Sequence, residues 1–160
     1  MSRANRRQFL GGLVSAGAVL GFPAIVSGRN LNSRLSHAAV GTGNMAFGDL
    51  KSFLGCKGVD VTVLCDTDAK FLAEAKKLCP HARTYRDWRE LLAAEGDRID
   101  SLNVSTADHS HTIIAANAIR RGKHVYCQKP LCKFLDEARL LRRLADERGV
   151  VTQLGTQYAS

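Results

Sequence analysis

The chain has 160 residues, enough for one domain with a core of its own, and its 45% apolar and 24% charged content excludes a collagen, a coiled coil or a disordered chain. Its formal charge of +8, to which Arg3, Arg6 and Arg7 contribute, reads as a solvated basic surface with some attraction for phosphates; without aromatic and basic residues interleaved it points away from nucleic acid. The 5 cysteines are odd in number and show no CxxC or CxxH spacing, which excludes a complete disulfide framework and disfavours a structural zinc site.

The first 28 residues read as an address. Asn5-Arg6-Arg7-Gln8-Phe9-Leu10 leads into an apolar run from Leu10 to Val26, the layout of a signal peptide. The arginine pair with Phe9 and Leu10 behind it resembles the twin-arginine export signal, with Gly11 where a lysine is frequent. Gly11, Gly12, Gly17 and Gly21 make the run short and weakly hydrophobic for a bilayer-spanning helix, so no stable membrane span is expected. Ala24-Ile25-Val26 and Val26-Ser27-Gly28 are both imperfect cleavage sites. The expected organisation is a leader over 1–28, a polar linker over 29–34 and one domain over 35–160, in a protein exported by the twin-arginine pathway to a periplasmic or membrane-associated location.

From residue 36 onward, short apolar runs alternate with longer amphipathic ones. The pattern predicts strands over Ser36–Val40, Val59–Cys65, Ala82–Tyr85, Ile99–Ser105, Val125–Gln128 and Val150–Leu154. It predicts helices over Asn44–Leu54, Ala69–Leu78 (ended by Pro80), Asp87–Ala94, Ser110–Arg121 and Phe134–Arg148. Asp87 reads as an N-cap, and Gly122 and Gly149 as C-caps. In the last helix Leu135, Ala138, Leu141 and Ala145 form the expected buried stripe, with Arg142/Asp146 and Arg143/Glu147 paired outside. Six strands alternating with helices define an α/β fold with a doubly wound parallel sheet covered on both faces. Cys65 and Cys127 lie in apolar runs and read as small buried hydrophobes, a catalytic thiol at Cys127 or Cys132 being the competing reading.

Directly after the first strand comes Gly41-Thr42-Gly43-Asn44-Met45-Ala46, a G-x-G-x-x-A string that opens a helix. Gly41 permits the tight turn, Gly43 lets backbone approach a pyrophosphate, and Ala46 lets the helix pack close to the strand. A diphosphate then meets the amides and positive dipole end of the helix. The second strand ends at Asp66, placed to hydrogen-bond the adenosine ribose. A carboxylate there repels a 2′-phosphate, and Thr67 follows rather than an arginine, so NAD is expected over NADP.

Ligands of such sheets lie beyond the carboxyl ends of the strands. There the fourth strand leads into Thr106-Ala107-Asp108-His109-Ser110-His111 and the fifth into Gln128-Lys129-Pro130. These resemble the T-P-x-x-H loop and the E-K-P motif of the Gfo/Idh/MocA oxidoreductase family, as does the Gly122-Lys123-His124-Val125 approach to the latter. Ala107 stands for the usual proline and Gln128 for the usual glutamate, so a negative partner near Lys129 is lost. The resemblance, over Leu35 to Ser160, implies that Lys129 lies between nicotinamide and substrate and assists proton transfer as the catalytic residue. It implies cofactor contacts from Thr106, His109, Gln128, Lys129 and Pro130 beside Gly41, Gly43, Asn44, Met45, Ala46 and Asp66. His109 and His111 contact cofactor or substrate, or cap the next helix. No metal site is expected.

The family continues into a substrate domain, and with the sequence stopping at Ser160 that domain is expected to be missing here. The expectation is therefore the cofactor half of an NAD-dependent oxidoreductase acting by hydride transfer on a sugar, polyol or cyclic alcohol, homo-oligomeric when full length and inactive as this piece alone. The alternatives are an exported glycosidase that uses NAD transiently, from the same wider family, and a non-catalytic nucleotide-binding module.

Overall fold

Strands that are apolar on both faces must be sandwiched between helices, and the computed structural model, which describes residues 34–156, shows that arrangement. The expected leader, the expected linker as far as residue 33, and Gln157 and Tyr158 lie outside the described residues. The chain runs β1 (Leu35–Val40), α1 (Met45–Gly55), β2 (Val59–Cys65), α2 (Ala69–Leu78), β3 (Arg83–Tyr85), α3 (Trp88–Glu95), β4 (Ser101–Val104), α4 (His111–Arg120), β5 (His124–Gln128), α5 (Leu135–Arg148) and β6 (Thr152–Gly155). The strands form one sheet in the order β3-β2-β1-β4-β5-β6, every neighbouring pair parallel. The direction of winding reverses between β1 and β4, and a crevice opens at the carboxyl ends there.

Successive residues of a strand face opposite sides, and β1 divides its side chains accordingly. Ala38 and Val40 join the core under α3, α4 and α5 with Leu91, Leu102, Ile114, Ile119 and Leu141. Ala39 joins the core under α1 and α2 with Leu50, Leu64, Leu72 and Ala75. All four residues of β4 are buried. Among the described residues no helix is long and apolar enough to cross a membrane.

Several predicted boundaries move by a residue or two, and three differences have a physical cause. Asn44 lies outside α1, at φ 50°, because the glycine turn must still change direction there; asparagine tolerates that backbone better than most residues. A 3-10 turn, Asp108–Ser110, precedes α4 and delays its start to His111. In α5 the core contact is made by Leu141 and Leu144, while Leu135, in the first turn, is 65% exposed. The outer pairs Arg142/Asp146 and Arg143/Glu147 are present at 3.9 and 3.8 Å, and Gly149 at φ 63° ends the helix.

Buried polar groups are paired. Glu95, 1% exposed at the end of α3, accepts from Arg83 and from Tyr85 Oη at 2.8 Å on β3. Burial would raise the Glu95 pKa, but those hydrogen bonds and the Arg83 and Arg98 charges hold it below the usual carboxylate range. Burial pushes the Cys65 and Cys127 thiols up to about 12, so neither is a thiolate near neutrality and a nucleophilic role for Cys127 falls away.

His37 on β1 is 3% exposed, and burial lowers its pKa to about 4, against the hydrogen bond with Asn103. The folded state therefore binds this proton more weakly than the unfolded chain does. The stability it contributes is complete above about 6.5 and is lost as the pH falls toward 4. A shift of this size corresponds to about 3 kcal/mol. His37→Gln is expected to lessen the loss of Tm between pH 6.5 and 4, measured against the parent chain by circular dichroism; an unchanged acid limb would contradict it.

Candidate functional site

Three strand ends meet at the crevice, and backbone hydrogen bonds fix their spacing. The Gly41 N–H donates to the Cys65 carbonyl at 2.8 Å, and the Ser105 N–H to the Val40 carbonyl at 2.8 Å. Gly41 adopts φ 90°, and a Cβ on it would lie 2.3 Å from the Ser105 carbonyl oxygen. Only glycine meets both demands, so the first residue of the string is required by the backbone of β4 as well as by the turn.

The acid at the end of β2 is tied to the same loop. Asp66 Oδ2 accepts from the Thr42 N–H at 2.7 Å and from Thr42 Oγ1 at 3.0 Å, and Oδ1 accepts from the Asp68 N–H at 2.9 Å. A carboxylate has about four acceptor directions, so this clamp leaves one for a further donor such as a ribose hydroxyl. Asp68 in turn caps α2 by accepting from the Lys70 N–H at 2.7 Å.

A cleft of about 900 Å³ opens over these groups. That lies within the roughly 300–1,000 Å³ usual for small-molecule and cofactor pockets. Gly41, Gly43, Asn44, Met45, Ala46, Asp66, Thr106 and His109 all line it. The structure thus gathers eight of the expected cofactor residues on one surface. Gln128, Lys129 and Pro130 are not in its wall. They stand at the end of β5, one strand beyond β4, with Lys129 and Pro130 exposed and Gln128 buried.

The cleft also contains groups that sequence spacing did not single out. The ring of Phe71, from α2, lies over Gly43, where a Cβ would sit 2.3 Å from it. The space beside Gly43 is therefore filled by an aromatic ring of the protein. Arg86, in the turn between β3 and α3, donates to the Thr67 carbonyl, and both residues line the cleft beside Asp66. The expectation that no arginine stands near Asp66 rested on its neighbours in sequence; in space, Arg86 reaches Thr67 from 19 residues further along the chain. Arg89 lies over the Trp88 ring at 4.6 Å on the same rim. Among the described residues no cluster of His, Cys, Asp or Glu could hold a metal ion.

The two histidines separate. His109 is exposed on the cleft wall, whereas His111 is 1% exposed beneath it. His111 Nε2 lies 2.9 Å from the Thr106 carbonyl and Nδ1 lies 2.6 Å from the Pro130 carbonyl. Carbonyls only accept and a neutral imidazole carries one N–H, so the ring donates to one of these carbonyls at a time, and it sits between the loop after β4 and the loop after β5. His111 is a clamp between the cleft loop and the lysine loop.

A glycine turn at a helix start, an acid bound to that turn and a cleft at the switch point define a dinucleotide-binding α/β domain. The sequence profile of the Gfo/Idh/MocA group, described as an oxidoreductase family with an NAD-binding Rossmann fold, matches residues 35–156, and the chain belongs to that family. It is similar to levoglucosan dehydrogenase of Pseudarthrobacter phenanthrenivorans, 25% identical over 96 residues, 60% of this chain and 24% of that protein. It is 29% identical over 107 residues to a glycosyl hydrolase family 109 protein of Shewanella pealeana, covering 61% of this chain and 23% of the relative. Among solved structures, GenD2 from gentamicin A biosynthesis in complex with NAD superposes with a TM-score of 0.71 at 32% identity, over 77% of this chain and 34% of that one. The chain thus spans about a quarter of these curated relatives and a third of that structure.

The two glycines are expected to respond differently to alanine. At Gly41 the obstacle is backbone and φ is positive, so Gly41→Ala should cost about 2 kcal/mol or more in urea unfolding. At Gly43 the obstacle is a side chain that can rotate, so Gly43→Ala should cost less than about 1 kcal/mol. Equal losses would contradict this account of the turn.

Proposed function

We propose that this chain is the cofactor-binding part of an NAD-dependent oxidoreductase that transfers hydride to or from a sugar, polyol or related cyclic alcohol. The observation that carries the reading is the Asp66 carboxylate held by the Thr42 N–H and hydroxyl, which sets the ribose-binding acid and the diphosphate-binding turn at a fixed separation. The residues fit the dinucleotide. The start of α1 offers amides and a positive dipole end to a diphosphate, and Asp66 keeps one acceptor direction for a ribose hydroxyl. When bound, the nicotinamide supplies the acceptor or donor of hydride.

The substrate side is assigned to Lys129. When a secondary alcohol is oxidised, its carbon gives up hydride and its hydroxyl gives up a proton. As an amine, Lys129 Nζ takes that proton; in the reducing direction, as an ammonium, it returns it and stabilises the negative charge forming on oxygen. His111 holds the Lys129-Pro130 loop against Thr106, so the lysine keeps its register with the cleft. Similarity to levoglucosan dehydrogenase supports a carbohydrate-like substrate.

NADH titrated into the chain is expected to show enhanced fluorescence, with saturation below millimolar cofactor; a flat titration at millimolar NADH would sink the proposal. In the whole protein, Lys129→Ala should lower kcat by about 10²- to 10⁴-fold while NADH affinity stays within a few-fold. Unchanged turnover would remove Lys129 from the chemistry, and no turnover in the parent protein would favour a non-catalytic nucleotide-binding role.

The similarity to a glycosyl hydrolase family 109 protein supports a second reading, a glycosidase that uses NAD transiently. Release of the aglycone from an aryl glycoside without net NADH formation would favour it. We also propose export by the twin-arginine pathway to a periplasmic or membrane-associated location, from Arg6-Arg7 and the apolar run behind them. Replacing both arginines by lysine should retain a fused reporter in the cytoplasm; continued export would refute the route.

A further inference from the structure

Gln128 stands where the motif it resembles has glutamate, and the structure shows what its amide does. Its side chain is 4% exposed. Nε2 donates to both carboxylate oxygens of Asp49, on α1, at 3.2 Å each, and Oε1 accepts the Lys129 backbone N–H at 2.8 Å. Only a group with both a donor and an acceptor can do this, and an ionised glutamate has no proton to give.

The carboxylate it meets has no cationic partner: among the described residues no Lys or Arg forms an ion pair with Asp49. Its charge is held by neutral donors that converge on it. Ser105 Oγ donates to Asp49 Oδ2 at 2.7 Å, and Asn103 Nδ2 donates to Ser105 Oγ at 2.9 Å. His37 Nε2 lies 3.1 Å from Asn103 Oδ1, and its Nδ1 lies 2.8 Å from Ser101 Oγ. With His37 neutral, the ring donates to Asn103 and accepts from Ser101, so every donor in this chain points toward Asp49. On the far side, Gly155 of β6 leaves the room: a Cβ there would lie 2.4 Å from Tyr126 Oη and 3.2 Å from the Gln128 amide carbon.

We infer that Asp49 and Gln128 form a matched positioning pair, with the negative charge on α1 and the amide on β5, that fixes the backbone of Lys129 at the end of the strand. A glutamate at 128 would set two carboxylates against each other at the distance where Gln128 and Asp49 now touch. Two such groups cannot both ionise cheaply and would come to share one proton. The catalytic consequence of the pair rests on the role proposed above for Lys129; the pairing itself does not.

The experiment uses the full chain, with Tm read from pH 5 to 8 and the Lys129 backbone amide followed in ¹⁵N spectra. In Gln128→Glu the shared carboxyl pKa is raised above its unfolded value, so the variant is closest to the parent at pH 5 and falls away as the pH rises. A deficit of about 5 °C or more is expected at pH 8, with the Lys129 amide resonance displaced. Adding Asp49→Asn reverses the polarity of the contact: an amide at 49 donates to a carboxylate at 128, which still accepts from Lys129. The double variant is expected to regain the parent's Tm and amide position and to lose the extra pH dependence. The titratable groups around the pair are Tyr126 on β5, whose pKa burial and Asp49 both raise, His37 on β1, and Lys129 itself. They are shared by all three proteins, so the difference from the parent isolates the pair. Should Gln128→Glu fail to fold at pH 8, folding of the double variant still supports the inference. A Tm for Gln128→Glu equal to the parent's across the range overturns it, as does a double variant no better than the single one. Failure of the oxidoreductase reading would appear only in NADH binding or turnover and would leave these readouts as expected.

Discussion

The cleft depends on backbone packed against backbone where a side chain would not fit. At Gly41 the chain leaves β1 with its N–H bonded to β2 and its missing Cβ facing the carbonyl of Ser105, the residue after β4. Because β1 lies between those two strands, this residue meets both halves of the doubly wound sheet at the crevice. A larger residue would have to push β4 away or leave the turn, and either would disturb the crevice that the strand order creates. Asp66 then fastens the next residue, Thr42, by two hydrogen bonds. One acid therefore holds the turn and lines the cleft.

A second set of contacts carries that order outward to the lysine. His111 bridges carbonyls of the loops after β4 and β5, and Gln128 bridges Asp49 and the Lys129 amide. Neither residue needs to touch cofactor to matter. The polar network beneath them runs through His37, Asn103 and Ser105, and no buried side-chain polar atom among the described residues lacks a partner. A network satisfied throughout has little freedom to rearrange, so it specifies one geometry for the loops it supports. The arrangement is consistent with the role proposed above for Lys129.

The fold was legible in the sequence because it is written in local periodicity. Val59 to Cys65 reads as a buried strand from its own residues, and α2 and α5 read as helices from the spacing of theirs. The glycine string and Asp66 were legible for a related reason: tight turns and strand ends place strong demands on single residue types. What stayed hidden were boundaries fixed by caps and 3-10 turns, such as the start of α4 at His111, and the face of α5, where Leu144 rather than Leu135 is buried.

By itself, then, the sequence determined a six-stranded doubly wound sheet and a dinucleotide turn, since each follows from residues near one another in the chain, whereas Lys129 entered only through resemblance to a family motif. Only the tertiary structure decided who the neighbours are. It placed Phe71 over Gly43, brought Arg86 beside Thr67, buried His111 while exposing His109, and set Gln128 against Asp49 across 79 residues. The reason is that side chains meet through strand order and helix rotation, which depend on how the whole core packs, whereas turns and periodicities are settled within a few residues.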